Sequence, residues 1–126
     1  MPHPYFSHGA TAITLLPGLL GINILLNPGG MMKAVEFPVP ADAPNRALSF
    51  SLMRMFGIRN ISVSVLVMLI RSTGDEKLLG LSLVPLASMA LLDGLMSKSL
   101  IGHGQWNHWA LVPVLGGLSA GLLGYL

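Results

Sequence analysis

The chain contains no cysteine and few charges. The first absence excludes disulfides, thiolate nucleophiles, zinc–thiolate centres and iron–sulfur clusters. The second excludes an ordinary soluble surface. Charged residues make up 10% of the 126 positions, against about a quarter in a soluble domain. Aromatic residues are also scarce, at 6%, and the net charge of +2 is scattered. No basic run and no stacking platform is present, so no nucleic-acid partner is expected. The start, MPHPYFSH, lacks a positive n-region, so the first apolar segment is expected to be a retained span.

What is present is apolar: 52% of the chain. Four apolar runs stand out, Gly9–Leu26, Ala47–Ile70, Leu78–Met96 and His108–Leu126. Roughly 17–25 residues are needed to cross a bilayer as a helix, and each run has about that length. The expected fold is therefore all-α, a four-transmembrane-helix bundle forming a single domain over residues 1–126. The expected setting is a multi-pass position in the lipid bilayer, an endomembrane if the source is eukaryotic.

The breaks between runs have their own chemistry. Asn27-Pro28-Gly29-Gly30 is a strong stop. The connector Met31–Ala43 is the only long loop, and its apolar residues place it at the membrane interface. Asp42-Ala43-Pro44 has the pattern of an N-cap followed by proline in the first turn. Arg71–Lys77 is a short polar turn that makes the second and third spans an antiparallel hairpin. Leu100–Asn107 is a glycine-containing loop.

Three charges lie inside these runs: Arg54, Arg59 and Asp93. An ionised group at membrane depth costs several kcal/mol unless it is paired or wetted, so such residues are functional candidates by default. Take Gly74 as the centre of the hairpin. Arg54 lies 20 residues before it and Asp93 lies 19 after it, at equal depth. At about 100° per residue, Arg54 and Arg59 flank a face containing Ser51, Met55 and Ser62. Ser82, Leu86, Met89, Asp93 and Ser97 share a face of the next helix. Asn23, Glu36, His103, Trp106, His108 and Trp109 collect on the same side of the membrane. A pocket open to that side, floored by the three charges, is the expected site.

Plainer roles compete with this one. Arg59 and Asp93 can exist only to hold each other and fix helix register. Arg46 and Lys98 have the positions of snorkelling end residues. Trp106 and Trp109 suit interface anchoring as well as ligand contact. His103 and His108 are separated by a loop and share no helix face, so no metal and no cofactor is expected. Gly117 and Gly121, with Gly116, Ala120 and Gly124, let helices approach closely, and a homo-oligomer through the fourth span or the first is expected.

Four short patterns occur in order: Asn27-Pro28 with a loop ending in Phe37-Pro38, then Phe56-Gly57-Ile58-Arg59-Asn60, then Leu92-Asp93-Gly94, then Trp106-Asn107-His108-Trp109. In this the chain resembles a family of small four-helix membrane proteins, mainly fungal and bacterial, catalogued as domain of unknown function 4267. The resemblance implies the architecture and picks out Arg59, Asp93 and His108. It supplies no reaction. Its fungal members resemble accessory proteins of natural-product pathways.

Two classes of function follow. One is a membrane-embedded enzyme that cyclises or isomerises a lipophilic small molecule by acid/base chemistry without a cofactor. Asp93 would be the proton carrier, Arg59 and Arg54 the anion holders, and His108 or Glu36 the second proton carrier. Asn23, Asn60, His103, Trp106 and Trp109 would contact substrate. The other is a non-catalytic binder, transporter or scaffold for an anionic or lipid-like ligand.

Overall fold

In the computed structural model, which describes residues 2–126, the chain is all-helical. Its elements are α1 (Pro4–Leu26), α2 (Pro28–Ala34), α3 (Ala43–Ser72), α4 (Glu76–Ile101), α5 (Trp106–Trp109) and α6 (Leu111–Leu122). Three of them, α1, α3 and α4, are long and apolar enough to cross a membrane.

The helix ends follow local chemistry. Asn27 ends α1 and caps α2 by accepting from Gly30 N at 3.0 Å, with Pro28 in the first turn. What the sequence suggests is only a stop is thus a stop and a restart, and a helix occupies the first part of the long connector. Asp42 caps α3 by accepting from Asn45 N at 3.1 Å. That bond, made to the charged form, holds the Asp42 carboxyl below its usual value. The cap is therefore complete above the ordinary carboxylate range and is lost as pH falls through the lowered value. Asp75 caps α4 by accepting from Leu78 N at 2.8 Å. Gly102 closes α4 in the left-handed conformation, φ 75°.

The fourth apolar run is not one helix. It splits into the four-residue α5 and the twelve-residue α6, which stops before Gly124 at φ 84°. Twelve residues rise about 18 Å, short of a hydrocarbon core of about 30 Å.

The burial pattern is inverted relative to a soluble helix. The buried stripe of α3 is Gly57, Asn60, Ser64 and Val67, while Leu52, Ile58, Leu66 and Leu69 are more than half exposed. On α1 the buried residues are Ser7, Ala10, Thr14, Gly21 and Ile24. Small and polar groups face in and large apolar groups face out, which is the arrangement of helices whose outer solvent is lipid. The chain is a membrane protein on this evidence.

The α1–α3 crossing shows what the small residues achieve. A Cβ on Gly57 would lie 2.9 Å from Gly21 O and 2.9 Å from Ile24 Cγ2. Ser64 Oγ donates to Thr14 O at 2.7 Å across the same contact. Between α4 and α6, Ser119 Oγ donates to Gly80 O at 2.8 Å.

Two expectations change here. The turn Thr73–Asp75 is tight, yet α3 packs most closely on α1 and α4 on α6, while α3 and α4 stand further apart and still meet well away from the turn through the Arg59–Asp93 pair. The small stripes on α1, α3 and α6 explain this, since they allow closer approach than the bulkier α3–α4 seam. Gly121 is not a free oligomer contact, because Phe6 of the same chain packs against it. Gly116 and Gly117 do face open space.

The close-packed core lies towards the end of the bundle that carries the 73–75 turn. Ala10, Leu79, Leu83, Leu115 and Leu122 meet there, all nearly inaccessible. The opposite end is packed more loosely, and the site lies there.

Candidate functional site

Arg59 and Asp93 form the centre of the site. Nη1 donates to Oδ1 at 3.2 Å and Nη2 to Oδ2 at 2.7 Å, a bidentate pair. The guanidinium lies 4.3 Å from the Phe56 ring centroid. Phe56 and Arg59 are three residues apart on α3 and so are neighbours on one face. Arg59 Nε is buried and makes no hydrogen bond to another described residue.

Arg54 does not join them. It stands three residues before Gly57, on the stripe that faces α1, and its Nε donates to Leu25 O at 3.4 Å. Five residues separate Arg54 from Arg59, about 140° around the helix. The two arginines therefore serve different neighbours. The face of Ser51, Met55 and Ser62 that flanks them is exposed, and the inward face is Gly57, Asn60 and Ser64. On α4 the expected face holds better, with Leu86 and Ser97 buried and Asp93 partly so.

Glu36 is also elsewhere. Its Oε2 accepts from Asn107 Nδ2 at 3.1 Å, and its Oε1 is 3.7 Å from His103 Nδ1. It has a positive φ of 67°, an unusual conformation for a residue with a side chain. Glu36 thus ties the segment after α2 to the loop between α4 and α5. His103 joins that tie and lies apart from Asp93, so the two histidines are not brought together. Asn23 Nδ2 donates to Met31 Sδ at 2.9 Å, linking α1 to α2.

The tryptophans have structural contacts. Trp109 Nε1 donates to Leu91 O at 3.1 Å, and its indole covers Gly94, where any Cβ would collide with it. Trp106 meets Trp109 edge-on at 5.5 Å between ring centroids and is largely exposed. The Trp109–Gly94 contact seats α5 on α4 one residue beyond Asp93. This brings His108 to the acid.

His108 and Asp93 face two cavities. The outer one, about 330 Å³, is walled by Met32, Val35 and Phe37 from the α2 side, by Met53 and Phe56 of α3, and by Met96 of α4. The inner one, about 120 Å³, lies among α1, α3, α4 and α6, with Ile24, Asn60, Leu86 and Leu115 in its wall. Asp93, His108, Phe56 and Val35 line both. His108 reaches the site from α5, and an imidazole can carry a proton on one ring nitrogen or on both. The site thus combines an arginine-bound carboxylate, a proton-exchanging imidazole and an apolar chamber of ligand size.

The cavity residues Met32, Met53 and Met96 were not expected at the site. The signal was in the composition: eight methionines in 126 residues, with Met31, Met32, Met53, Met55, Met89 and Met96 all at one end of the bundle. Flexible thioethers commonly line adaptable apolar surfaces.

Fold and site together define a helical membrane protein with a charge pair beside an apolar cavity. The chain belongs to the family described as Domain of unknown function (DUF4267), whose model matches residues 14–122. No curated protein and no solved structure matches it. The two glycines in the patterns carrying the resemblance have clear roles in this fold. Gly57 permits the α1–α3 crossing, and Gly94 seats Trp109.

Proposed function

We propose that this protein is a small integral-membrane enzyme that isomerises or cyclises a lipophilic small molecule by acid/base chemistry, without a cofactor. The observation that carries the reading is the joint placement of Asp93 and His108 on an apolar cavity of about 330 Å³. A substrate in that cavity lies among apolar walls and meets two proton-exchanging groups. Asp93 takes the proton, Arg59 fixes the carboxylate, and protonated His108 gives a proton to the rearranged product; Asp93 then passes its proton through water to His108, which restores both groups. Arg59 acts as a positioning residue, because both of its terminal nitrogens are engaged by Asp93.

The depth suits proton supply. Asp93 is 17 residues beyond Glu76. With the 73–75 turn at one interface, that puts it about 25 Å away, near the opposite interface of a hydrocarbon core about 30 Å thick. The site then opens at headgroup level, where water and an apolar substrate are both available. On this reading α5 and α6, joined through Ala110, act as a fourth membrane element, and the protein is multi-pass. In a eukaryotic source its place would be an endomembrane. A homo-oligomer would use the open Gly116–Gly117 surface of α6.

One observation favours a second reading. The bidentate pair engages both carboxylate oxygens of Asp93, as a purely structural pair would, leaving a binder or scaffold for a lipid-like ligand.

The test uses protein in nanodiscs, in heavy water, with long-chain β,γ-unsaturated ketones as substrates. Cofactor-free isomerisation moves a proton from the α carbon to the γ carbon, and the returning proton comes partly from solvent. Wild type is expected to incorporate deuterium into the conjugated product, read by mass spectrometry. His108→Gln is expected to lose about 10²-fold in rate, the usual scale for removing a general acid or base. Wild type no faster than empty nanodiscs across the substrate set would favour the binder.

A further inference from the structure

The two cavities meet at one wall, and nearly all their polar groups are gathered there. Val35, Phe56, Asp93 and His108 line both chambers. Of the other polar lining residues, Ser97 stands one turn from Asp93 on α4, Asn60 one turn from Phe56 on α3, and Asn107 next to His108. Only Ser49, in the outer chamber, stands apart from this group. Away from the wall, and Ser49 apart, both chambers are apolar.

We propose that the two chambers form one bipartite binding site for an elongated apolar molecule whose single oxygen function lies within its chain, seated at the wall of Phe56, Asp93 and His108. This rests on reading the cavity as a small-molecule site and names the substrate class. A ligand with a terminal headgroup seated at the wall would fill one chamber and leave the other without contacts, and a polar group placed away from the wall would lack partners. A ligand with an internal oxygen puts it beside the His108 N–H and extends an apolar arm to each side.

The volumes rank the arms: the outer chamber, about 330 Å³, is nearly three times the inner one, about 120 Å³, so the shorter arm lies in the inner chamber. A butyl group serves as that arm in the test. Phe56 decides where the oxygen stops. Its ring is held by Arg59 at 4.3 Å, and Arg59 is fixed by Asp93, so the partition between the chambers is a supported one. Phe56 is the specificity-determining residue of the site.

The test compares two isomers, tritiated 5-dodecanone and 2-dodecanone, by equilibrium binding to the full-length protein in nanodiscs. They have the same formula and closely similar partition into lipid, so a difference in affinity reports where the carbonyl sits. The 5-isomer, with butyl and heptyl arms, is expected to bind about tenfold more tightly. Ala90→Phe fills the inner chamber and is expected to make the isomers equal; Met89→Trp serves the same purpose if that variant does not fold. Phe56→Ala removes the partition and is expected to retain binding while cutting the preference to about twofold. Equal affinity of wild type for the two isomers, tighter binding of the 2-isomer, or no binding above empty nanodiscs would overturn the proposal. The catalytic reading fails separately. A tenfold preference without any deuterium incorporation would keep the bipartite site and leave a binder. Deuterium incorporation with equal affinities would keep the enzyme and remove the bipartite site.

Discussion

Replacing Arg59 with methionine is expected to lower stability by about 2–3 kcal/mol, whereas Arg59→Met combined with Asp93→Leu is expected to recover most of that loss. The reasoning is that of a partly buried ion pair. Removing one partner leaves a carboxylate in apolar surroundings with its two short hydrogen bonds gone. Removing both leaves neither charge to desolvate, and the new apolar side chains fill the same space. The estimate sits below the range for fully buried pairs because 39% of the Arg59 side chain is accessible outside a bilayer. Thermal or denaturant unfolding in detergent checks both variants. A single variant as stable as wild type would show that Asp93 does not depend on Arg59.

Gly57→Val is expected to be strongly damaging, costing about 3 kcal/mol or more. The added Cβ would lie 2.9 Å from a backbone oxygen on the neighbouring helix, and a backbone cannot swing aside as a side-chain tip can. Separating α1 from α3 would also strain the Ser64–Thr14 hydrogen bond at 2.7 Å. The rest of the site would follow, because Phe56, Arg59 and Asn60 are set by the rotation of α3 about this contact. Gly117→Val, where the added Cβ meets open space, is the control and is expected to leave the monomer's stability within about 0.5 kcal/mol. Unfolding of the two variants side by side reads the difference.

Much of the site was legible in the sequence because charge is rare there. With only three charged residues inside the apolar runs, membrane energetics selected Arg59 and Asp93, and α4 helical phase placed Asp93 correctly. Arg54 was misplaced for a definite reason. The inward face of α3 is marked by glycine, asparagine and serine, and the pattern of the outward serines Ser51 and Ser62 looks much the same in the sequence. Only the Gly21–Gly57 contact fixes the rotation, and that is a property of two helices together. The start of α3 was readable because the Asp42 cap announced it, whereas α4 runs past the expected end of the third span at Met96 to the Gly102 cap. The α2 helix was hidden because Asn-Pro-Gly-Gly both stops one helix and caps the next. The division of the last run into α5 and α6 falls where Pro113 lacks the N–H that would bond the Trp109 carbonyl, a local signal that the length of the apolar run masks. A pocket beside Asp93 was expected from the charges, but its methionine walls are set by packing and were not.

The central claim is that Asp93 is an acid/base group and not merely a partner for Arg59. It is tested most directly by Asp93→Asn in the same deuterium-incorporation assay, on protein whose unfolding transition and nanodisc mass match wild type. The amide keeps the size of the carboxyl and can still face Arg59, but it cannot take up a proton. A folded Asp93→Asn protein that has lost about 10²-fold or more in rate is the predicted result. A folded Asp93→Asn protein that incorporates deuterium as fast as wild type would contradict it.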